Sequence, residues 1–352
     1  MHIAFLIRAL QSGGAERATV SLAGAMASRG YTVSIVTLLG ADSFYTIPGG
    51  VRVVYLHHDA RDSTVRRMLH LRKAVRRIRP DVLIGMSPFM NAYAVFCTCG
   101  TRIAAVGTER ANPFVLYADR KTTLLRRTAA LLCRGFVCQT ERARSFFPAA
   151  VQRKAAVIPN AVFNPLIAET AVPPERDKTV TALGRLDHNK GFDLLLRAFA
   201  AVNKDEPQYT LTIYGEGECR AELEALASHL GIADAVSMPG AVPDAILPIS
   251  RSSVFVLSSR SEGMPNALIE ALAAGVPCVA ADCDMGPAEL IRDGENGLLV
   301  PTEDAGAIAE AVLRILRDPA LSAKLSENAL QLRDTLHIDR ITEKWIAYLR
   351  SL

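Results

Sequence analysis

The chain has 352 residues, 50% of them hydrophobic and 22% charged, an ordinary globular composition with length for about two domains and sizeable cores. Net charge is only +4, yet residues 1–165 hold 23 Lys/Arg against 8 Asp/Glu (+15) and residues 166–352 hold 17 against 28 (−11). A basic half suits a polyanion, an anionic membrane surface or a phosphorylated ligand; few aromatics accompany the basic residues and no nucleic-acid-binding motif appears, so no nucleic acid partner is expected.

In chain order, short apolar β-branched runs alternate with helical stretches. The first half predicts strands HIAFLI (2–7), TVSIVTL (32–38), VRVVYL (51–56), DVLIGM (81–86), IAAVGT (103–108), GFVCQ (135–139) and AAVIP (155–159). The second predicts TVTALG (179–184), TLTIYG (210–215), AVSMPG (235–240), SVFVLSS (253–259), PCVAA (277–281) and GLLV (297–300). Strand–helix alternation of this kind argues for parallel sheets with helices on both faces. Residues 160–178, with Pro165, Pro173 and Pro174, read as a linker, and 337–352 as a terminal helix. The domains are therefore set at 1–165 and 166–336, with 337–352 packing back on the first.

The opening MHIAFLIRAL is short and lacks a small-residue cleavage site, so it reads as a strand rather than a signal peptide. No stretch of 18 apolar residues is present to span a membrane. Of seven cysteines, none forms a C-x-x-C pair, and Cys97-x-Cys99 lacks partners at zinc spacing. Free, buried thiols in a reducing compartment are the expectation.

Doubly wound sheets bind ligands at the loops beyond their strand ends. After the first strand comes RALQSGGAER, where Gly13 and Gly14 precede a helix beginning near Ala15. Paired glycines let backbone approach a ligand, and a helix N-terminus favours an anion; a plain tight turn explains them equally. No G-x-G-x-x-G is present. The equivalent loop of the second half, ALGRLDHNKGF, carries Arg185 and Lys190, whose natural partner is a diphosphate.

The richest segment is SSRSEGMPNALIEALAAGVPCVAA. Gly263 permits a turn, and Pro265 suits a first helical position. Glu270 then lies in a helix apolar on nearly every side, so it is a buried or cleft-facing carboxylate needing donors. A ribose diol or a core arginine would serve. Glu262 sits in the loop ahead of that helix.

These motifs resemble those of the large retaining glycosyltransferase family 4, of the GT-B fold, over essentially the whole chain and in the family's order. Glu262 and Glu270 match its E-x7-E signature, GRLDHNKG its diphosphate loop, SGGAER its N-terminal glycine loop, and GPAELIRDGENGLLV a further family pattern. The resemblance implies two Rossmann-like domains facing a cleft. It implies that Arg185 and Lys190 hold the donor diphosphate, Glu270 binds the ribose and Glu262 contacts the donor sugar. Gly14 and the Gly263, Met264, Pro265 and Asn266 backbone would help position the donor, with the base against residues 240–242. Glu262, Arg185 and Lys190 are the catalytic candidates. A nucleotide sugar is then a co-substrate and no cofactor or metal is required, since cationic groups stabilise the leaving diphosphate. Asp282-Cys283-Asp284 only superficially resembles a D-x-D metal motif. Retention is implied by the family.

Many family members carry a histidine where this chain reads GTERANP, with Glu109 and Arg110. That variation resembles the enzymes building bacterial glycans on polyprenyl diphosphate, including the N-acetylgalactosaminyltransferases of protein N-glycosylation. A UDP-hexose or UDP-N-acetylhexosamine donor and a lipid-linked glycan acceptor follow as expectations. The acceptor side is assigned to Gly13, Gly14, Glu109 and Arg110. A basic helix over 64–79 adds Arg66, Lys73 and Arg77 on one face, with Val65, Met68, Leu69, Leu71 and Val75 able to pack. A second basic stretch, 120–134, adds Lys121, Arg126 and Arg127. Both could lie on an anionic membrane surface, placing the enzyme peripherally on the cytoplasmic face; solvated basic faces are the alternative. Competing readings of the chain are a UDP-sugar 2-epimerase of the same fold and a non-catalytic sugar-nucleotide-binding subunit.

Overall fold

A computed structural model describes all residues except 12, 59–61, 117, 164–166, 168–171, 174 and 243–244. The chain forms two compact units: Met1–Phe163 with Ile338–Leu352, and Asn164–His337.

The first unit is built on a seven-stranded sheet: β1 (His2–Ile7), β2 (Thr32–Leu39), β3 (Val51–His58), β4 (Val82–Gly85), β5 (Ala104–Glu109), β6 (Gly135–Cys138) and β7 (Ala155–Val157). All pairings are parallel, in the order β3-β2-β1-β4-β5-β6-β7. Such strands are covered on both faces, which is why they read as unbroken apolar runs; Ile3, Ala4, Phe5 and Leu6 are fully buried. Helices Thr64–Ile78, Pro88–Thr98 and Arg120–Leu132 pack side by side as one layer. Two positions depart from the sequence expectation. Leu71 and Val75 of the first helix are buried, but Val65 and Leu69 stay exposed. The terminal helix, Ile338–Arg350, packs on Gly14–Ala27. Its Trp345 is buried, and its Tyr348 hydroxyl accepts from Phe136 N at 2.7 Å and donates to Lys154 O at 2.6 Å.

The second unit holds six parallel strands: β8 (Asp177–Leu183), β9 (Thr210–Tyr214), β10 (Val236–Gly240), β11 (Ser252–Leu257), β12 (Cys278–Ala281) and β13 (Leu298–Val300). Their order is β10-β9-β8-β11-β12-β13. Strand order reverses between β8 and β11, so the crevice beyond their carboxyl ends is the topological place for a ligand. Two of the linker prolines, Pro165 and Pro174, lie outside the described residues. The linker's Arg176 is tied into this unit, donating to Ser250 O at 3.1 Å and to Ser326 Oγ at 3.0 Å. All seven cysteines are free. Among the described residues, no helix is long and apolar enough to cross a membrane.

Candidate active site

In the second unit, the loops leaving β8 and β11 are stitched to each other. Asp187 caps a 3-10 turn, His188–Lys190, by accepting from Lys190 N at 3.2 Å. Gly191 follows at φ 63°, and a Cβ there would stand 2.2 Å from Ser258 O. Only glycine permits that approach. Ser258 Oγ then donates to Lys190 O at 2.9 Å, Arg260 N to Asn189 O at 2.8 Å, and Asn189 Nδ2 to Ser261 O at 2.7 Å. Arg260 also grips Asp193 with two bonds of 2.8 Å, holding that carboxyl below its usual range. The result is a rigid double loop at the switch point of the sheet.

On this frame Lys190 Nζ meets Glu262 Oε1 at 2.6 Å, and Ser259 Oγ donates to the same oxygen at 2.7 Å. The Lys190 and Glu262 side chains are 23% and 10% exposed. Beside them lies the buried Cys283, whose thiol is pushed up to about 12 by burial and by the Glu262 charge. Arg185 is different: its side chain is 77% exposed and contacts Asp187 at 2.6 Å. An exposed pair of this kind is worth at most about 1 kcal/mol, so Arg185 can leave Asp187 for a better anion at little cost. The structure therefore brings Arg185, Lys190 and Glu262 to one edge.

Behind that edge, Pro265 precedes the helix Asn266–Ala273, which carries Glu270 fully inside, 3% exposed. Gly286, at φ 93°, lets its loop come within 2.5 Å (as a Cβ would) of Gly263 O. Gly240 ends β10 at φ 94°, and its carbonyl accepts from Gly215 N at 2.9 Å. Asp282 and Asp284 are exposed on either side of the buried Cys283. Among the described residues no group of three or more His, Cys, Asp or Glu is arranged to hold a metal.

In the first unit, a polar cluster gathers at the carboxyl edge of β1, β5, β6 and β7. The Tyr45 hydroxyl accepts from Gly13 N at 3.1 Å and donates to Gly13 O at 2.9 Å, fixing the glycine. Glu16 folds back over it: a Cβ on Gly13 would lie 2.3 Å from Glu16 Oε2. Burial raises the Glu16 carboxyl, and the charge of Arg110 opposes the rise. Burial likewise pushes Arg110 down to about 10, opposed by Glu16. Arg110 donates to Asn160 Oδ1 at 2.6 Å. Gln139, with its amide oriented to satisfy both ends, donates to Arg110 O at 3.1 Å and accepts from Asn160 Nδ2 at 2.9 Å.

Two sequence assignments change. Glu109, expected on the acceptor surface, is inside: it stands 3.1 Å from Arg126 Nε, both side chains 0% exposed. Neither atom has an aligned hydrogen-bond partner among the described residues, so this is a charge contact. Burial raises the Glu109 carboxyl to about 7, with Arg126 opposing. Arg126, expected on a basic outer face, also donates to Pro113 O and Leu116 O, each at 3.0 Å. Arg127 caps Phe146 O at 3.2 Å and stacks on that ring. In the helix Thr64–Ile78, Arg66, Lys73 and Arg77 are exposed and surround His70, whose imidazole pKa is lowered by burial first and then by nearby charges. Arg66 pairs with Asp62 at 3.1 Å, and His58 links Asp62 at 2.8 Å to His70 at 3.1 Å. Arg72 donates to Cys99 O at 2.8 Å, closing the end of the helix Pro88–Thr98. A cavity of about 420 Å³ beside Arg76, Arg79 and Arg102 lies at the opposite, amino edge of β4 and β5, away from these loops.

Sequence reasoning does not single out Glu16, Asn160 or Asp187, and it places the buried Arg126 on an outer face. Glu16 lies inside the SGGAER stretch. Arg126 shares its helix side with Ala129, Ala130 and Cys133, a spacing that marks an inward position.

Comparison with known proteins agrees with this organisation. A family model described as "Glycosyltransferase Family 4" matches residues 12–162, and one described as "Glycosyl transferases group 1" matches 165–332. An α-1,4-N-acetyl-D-galactosaminyltransferase of Campylobacter jejuni, acting on GalNAc-α-(1→4)-GalNAc-α-(1→3)-diNAcBac-PP-undecaprenol, is 30% identical over 360 residues, covering 100% of this chain and 99% of that protein. The lipopolysaccharide core biosynthesis glycosyltransferase LpsE of Rhizobium meliloti is 28% identical over 351 residues, 97% of each chain. Among solved structures, Anabaena HepE in complex with UDP-glucose superposes with a TM-score of 0.83 at 19% identity, covering 100% of both chains. The pneumococcal O-GlcNAc transferase GtfA, in complex with UDP and GlcNAc, superposes with a TM-score of 0.80 at 14% identity, covering 100% of this chain and 99% of that one.

Proposed function

This chain belongs to the family 4 glycosyltransferases, with the GT-B architecture, and we propose that it moves a hexose or N-acetylhexosamine from a UDP-sugar to a polyprenyl-diphosphate-linked sugar or glycan, with retention, in bacterial surface polysaccharide or glycoprotein glycan assembly. The observation that carries the reading is the Lys190–Glu262 ion pair at the switch point between β8 and β11, with the exposed Arg185 on the same loop as Lys190. Two cations on a stiff loop suit a diphosphate, and the UDP in structural relatives supports uridine as the nucleoside.

The proposed step breaks the bond from the anomeric carbon to the β-phosphate oxygen. It forms a bond from an acceptor hydroxyl on the same face, and the hydroxyl proton passes to an oxygen of the departing diphosphate. Arg185 and Lys190 stabilise the charge that develops on that leaving group. Ser259 and Lys190 hold Glu262 in place to contact the sugar, and Glu270 takes the ribose. No metal is needed on this account. In the first unit, Arg110 and the glycines Gly13 and Gly14 receive the acceptor, with Glu109 and Arg126 behind Arg110. Arg66, Lys73 and Arg77 offer cations to the acceptor's diphosphate or to anionic lipid on the cytoplasmic leaflet. The acceptor class rests on the named substrate of the Campylobacter relative and on the +15 charge of residues 1–165.

A thermal-shift screen of UDP- and GDP-sugars tests the donor, since a ligand of the native state alone raises stability by RT ln(1 + [L]/Kd). Stabilisation by a UDP-hexose or UDP-N-acetylhexosamine is expected. Stabilisation by GDP-mannose, with none by any UDP-sugar, overturns the donor assignment.

A further inference from the structure

The helix Arg120–Leu132 is turned inside out. Its inward side carries Arg126, Ala129 and Ala130, all buried, while its outward side carries Leu124 (68% exposed), Leu125, Leu131 and Leu132 (64%). Arg126 binds this helix to the preceding loop through Pro113 O and Leu116 O, and that loop exposes Phe114, Val115 and Leu116. Packing within the chain leaves these side chains in water, so the arrangement has an outside purpose: large contiguous apolar patches mark an interaction surface. The bias belongs to one unit. Of fourteen exposed large hydrophobics among the described residues, twelve lie in Met1–Phe163. Val65 and Phe89 are among them, near the starts of the two other helices of the same layer.

Charge selects the occupant. The helix sequence RKTTLLRRTAALL has no acidic residue, and Arg120 and Lys121 flank the leucines, exposed. A second copy would bring the same cations together. An anionic bilayer meets both features, with lipid headgroups against the cations and the acyl boundary against the leucines. We infer that the outward face of Arg120–Leu132, with the 114–116 loop stapled to it by Arg126, inserts into the headgroup region of an anionic membrane. The inference deepens the membrane part of the proposed function and rests on it for the partner. It differs from purely electrostatic docking in one consequence: part of the binding survives salt, because apolar burial is not screened.

The test uses the full chain and phosphatidylcholine vesicles with and without phosphatidylglycerol, at low salt and at ~1 M salt, where the Debye length is ~3 Å. Wild type should bind the anionic vesicles and keep a measurable fraction at high salt. The double variant Leu124→Ser/Leu132→Ser should lose ~10-fold or more of its partitioning at both salts, since two leucines no longer leave water. Its thermal midpoint, and its turnover on a water-soluble, short-chain diphosphate-linked acceptor, should be unchanged. Equal vesicle binding by wild type and variant, or no vesicle binding by wild type, overturns the inference. A concentration-dependent wild-type dimer that the variant abolishes does so too, and assigns the face to a second copy. Loss of soluble-acceptor turnover in wild type, with vesicle binding intact, counts against the proposed function and leaves the membrane face standing.

Discussion

Lys190 and Glu262, 72 residues apart in sequence, are joined by a 2.6 Å ion pair that bridges the loops leaving β8 and β11. The pair is partly buried, so it is sheltered from the solvent screening that makes surface pairs nearly worthless. On the proposed function it gives Lys190 two tasks, holding Glu262 and facing a diphosphate. Glu262→Gln should lower kcat by ~10-fold or more while leaving the thermal midpoint within a few degrees, because the amide still accepts from Ser259 and Lys190. Unchanged kcat with raised donor KM would reassign Glu262 to ground-state binding.

Gly191 is the hinge of that bridge. Alanine there must hold φ at 63° and place its Cβ against the Ser258 carbonyl, a backbone atom with nowhere to retreat. Gly191→Ala should cost about 2–3 kcal/mol of stability. Urea denaturation measures it, and a midpoint equal to wild type contradicts the described loop contact.

The buried Glu109–Arg126 contact predicts a pH signature. Burial raises the folded Glu109 carboxyl to about 7, above its ordinary value of 4.5. The native state then keeps a proton that the unfolded chain has released, so this group's stabilisation is complete at low pH and is lost as pH rises from 4.5 through 7. Glu109→Gln should remove that slope, and the wild-type-minus-variant stability should fall by up to about 3 kcal/mol between those limits. A flat difference curve means that Arg126 keeps Glu109 ionised throughout.

Much of this was legible in the sequence. The thirteen strands among the described residues match the sequence expectation within a few residues, because parallel strands covered on both faces are continuous apolar runs. Strand–loop–helix alternation points to the loops beyond strand ends, and the candidates Arg185, Lys190 and Glu262 stand on those loops. What stayed hidden was pairing. No local signal in GTERANP says that Glu109 turns inward while Arg110 meets Glu16 and Asn160. The stretch 120–134 read as a basic face because cation counting ignores direction. The helical spacing of Arg126 with Ala129 and Ala130, at 3.6 residues per turn, reverses the reading and puts the leucines outside.

Excess EDTA should leave turnover intact. In the proposed mechanism Arg185 and Lys190 do the work of a cation at the leaving group. Loss of activity in EDTA, restored by Mg²⁺ or Mn²⁺, would require a metal at the diphosphate.

The central claim is that the Arg185 and Lys190 loop holds and stabilises a leaving nucleoside diphosphate. Its most direct test is transfer from the stabilising UDP-sugar to a diphosphate-linked sugar acceptor by wild type, Arg185→Ala and Lys190→Ala, with circular dichroism on the same samples. Each substitution should cut kcat/KM by ~100-fold or more, the measured scale for losing one charge-stabilising contact in a transition state, with the fold unchanged. Near wild-type transfer by both folded variants would contradict the account.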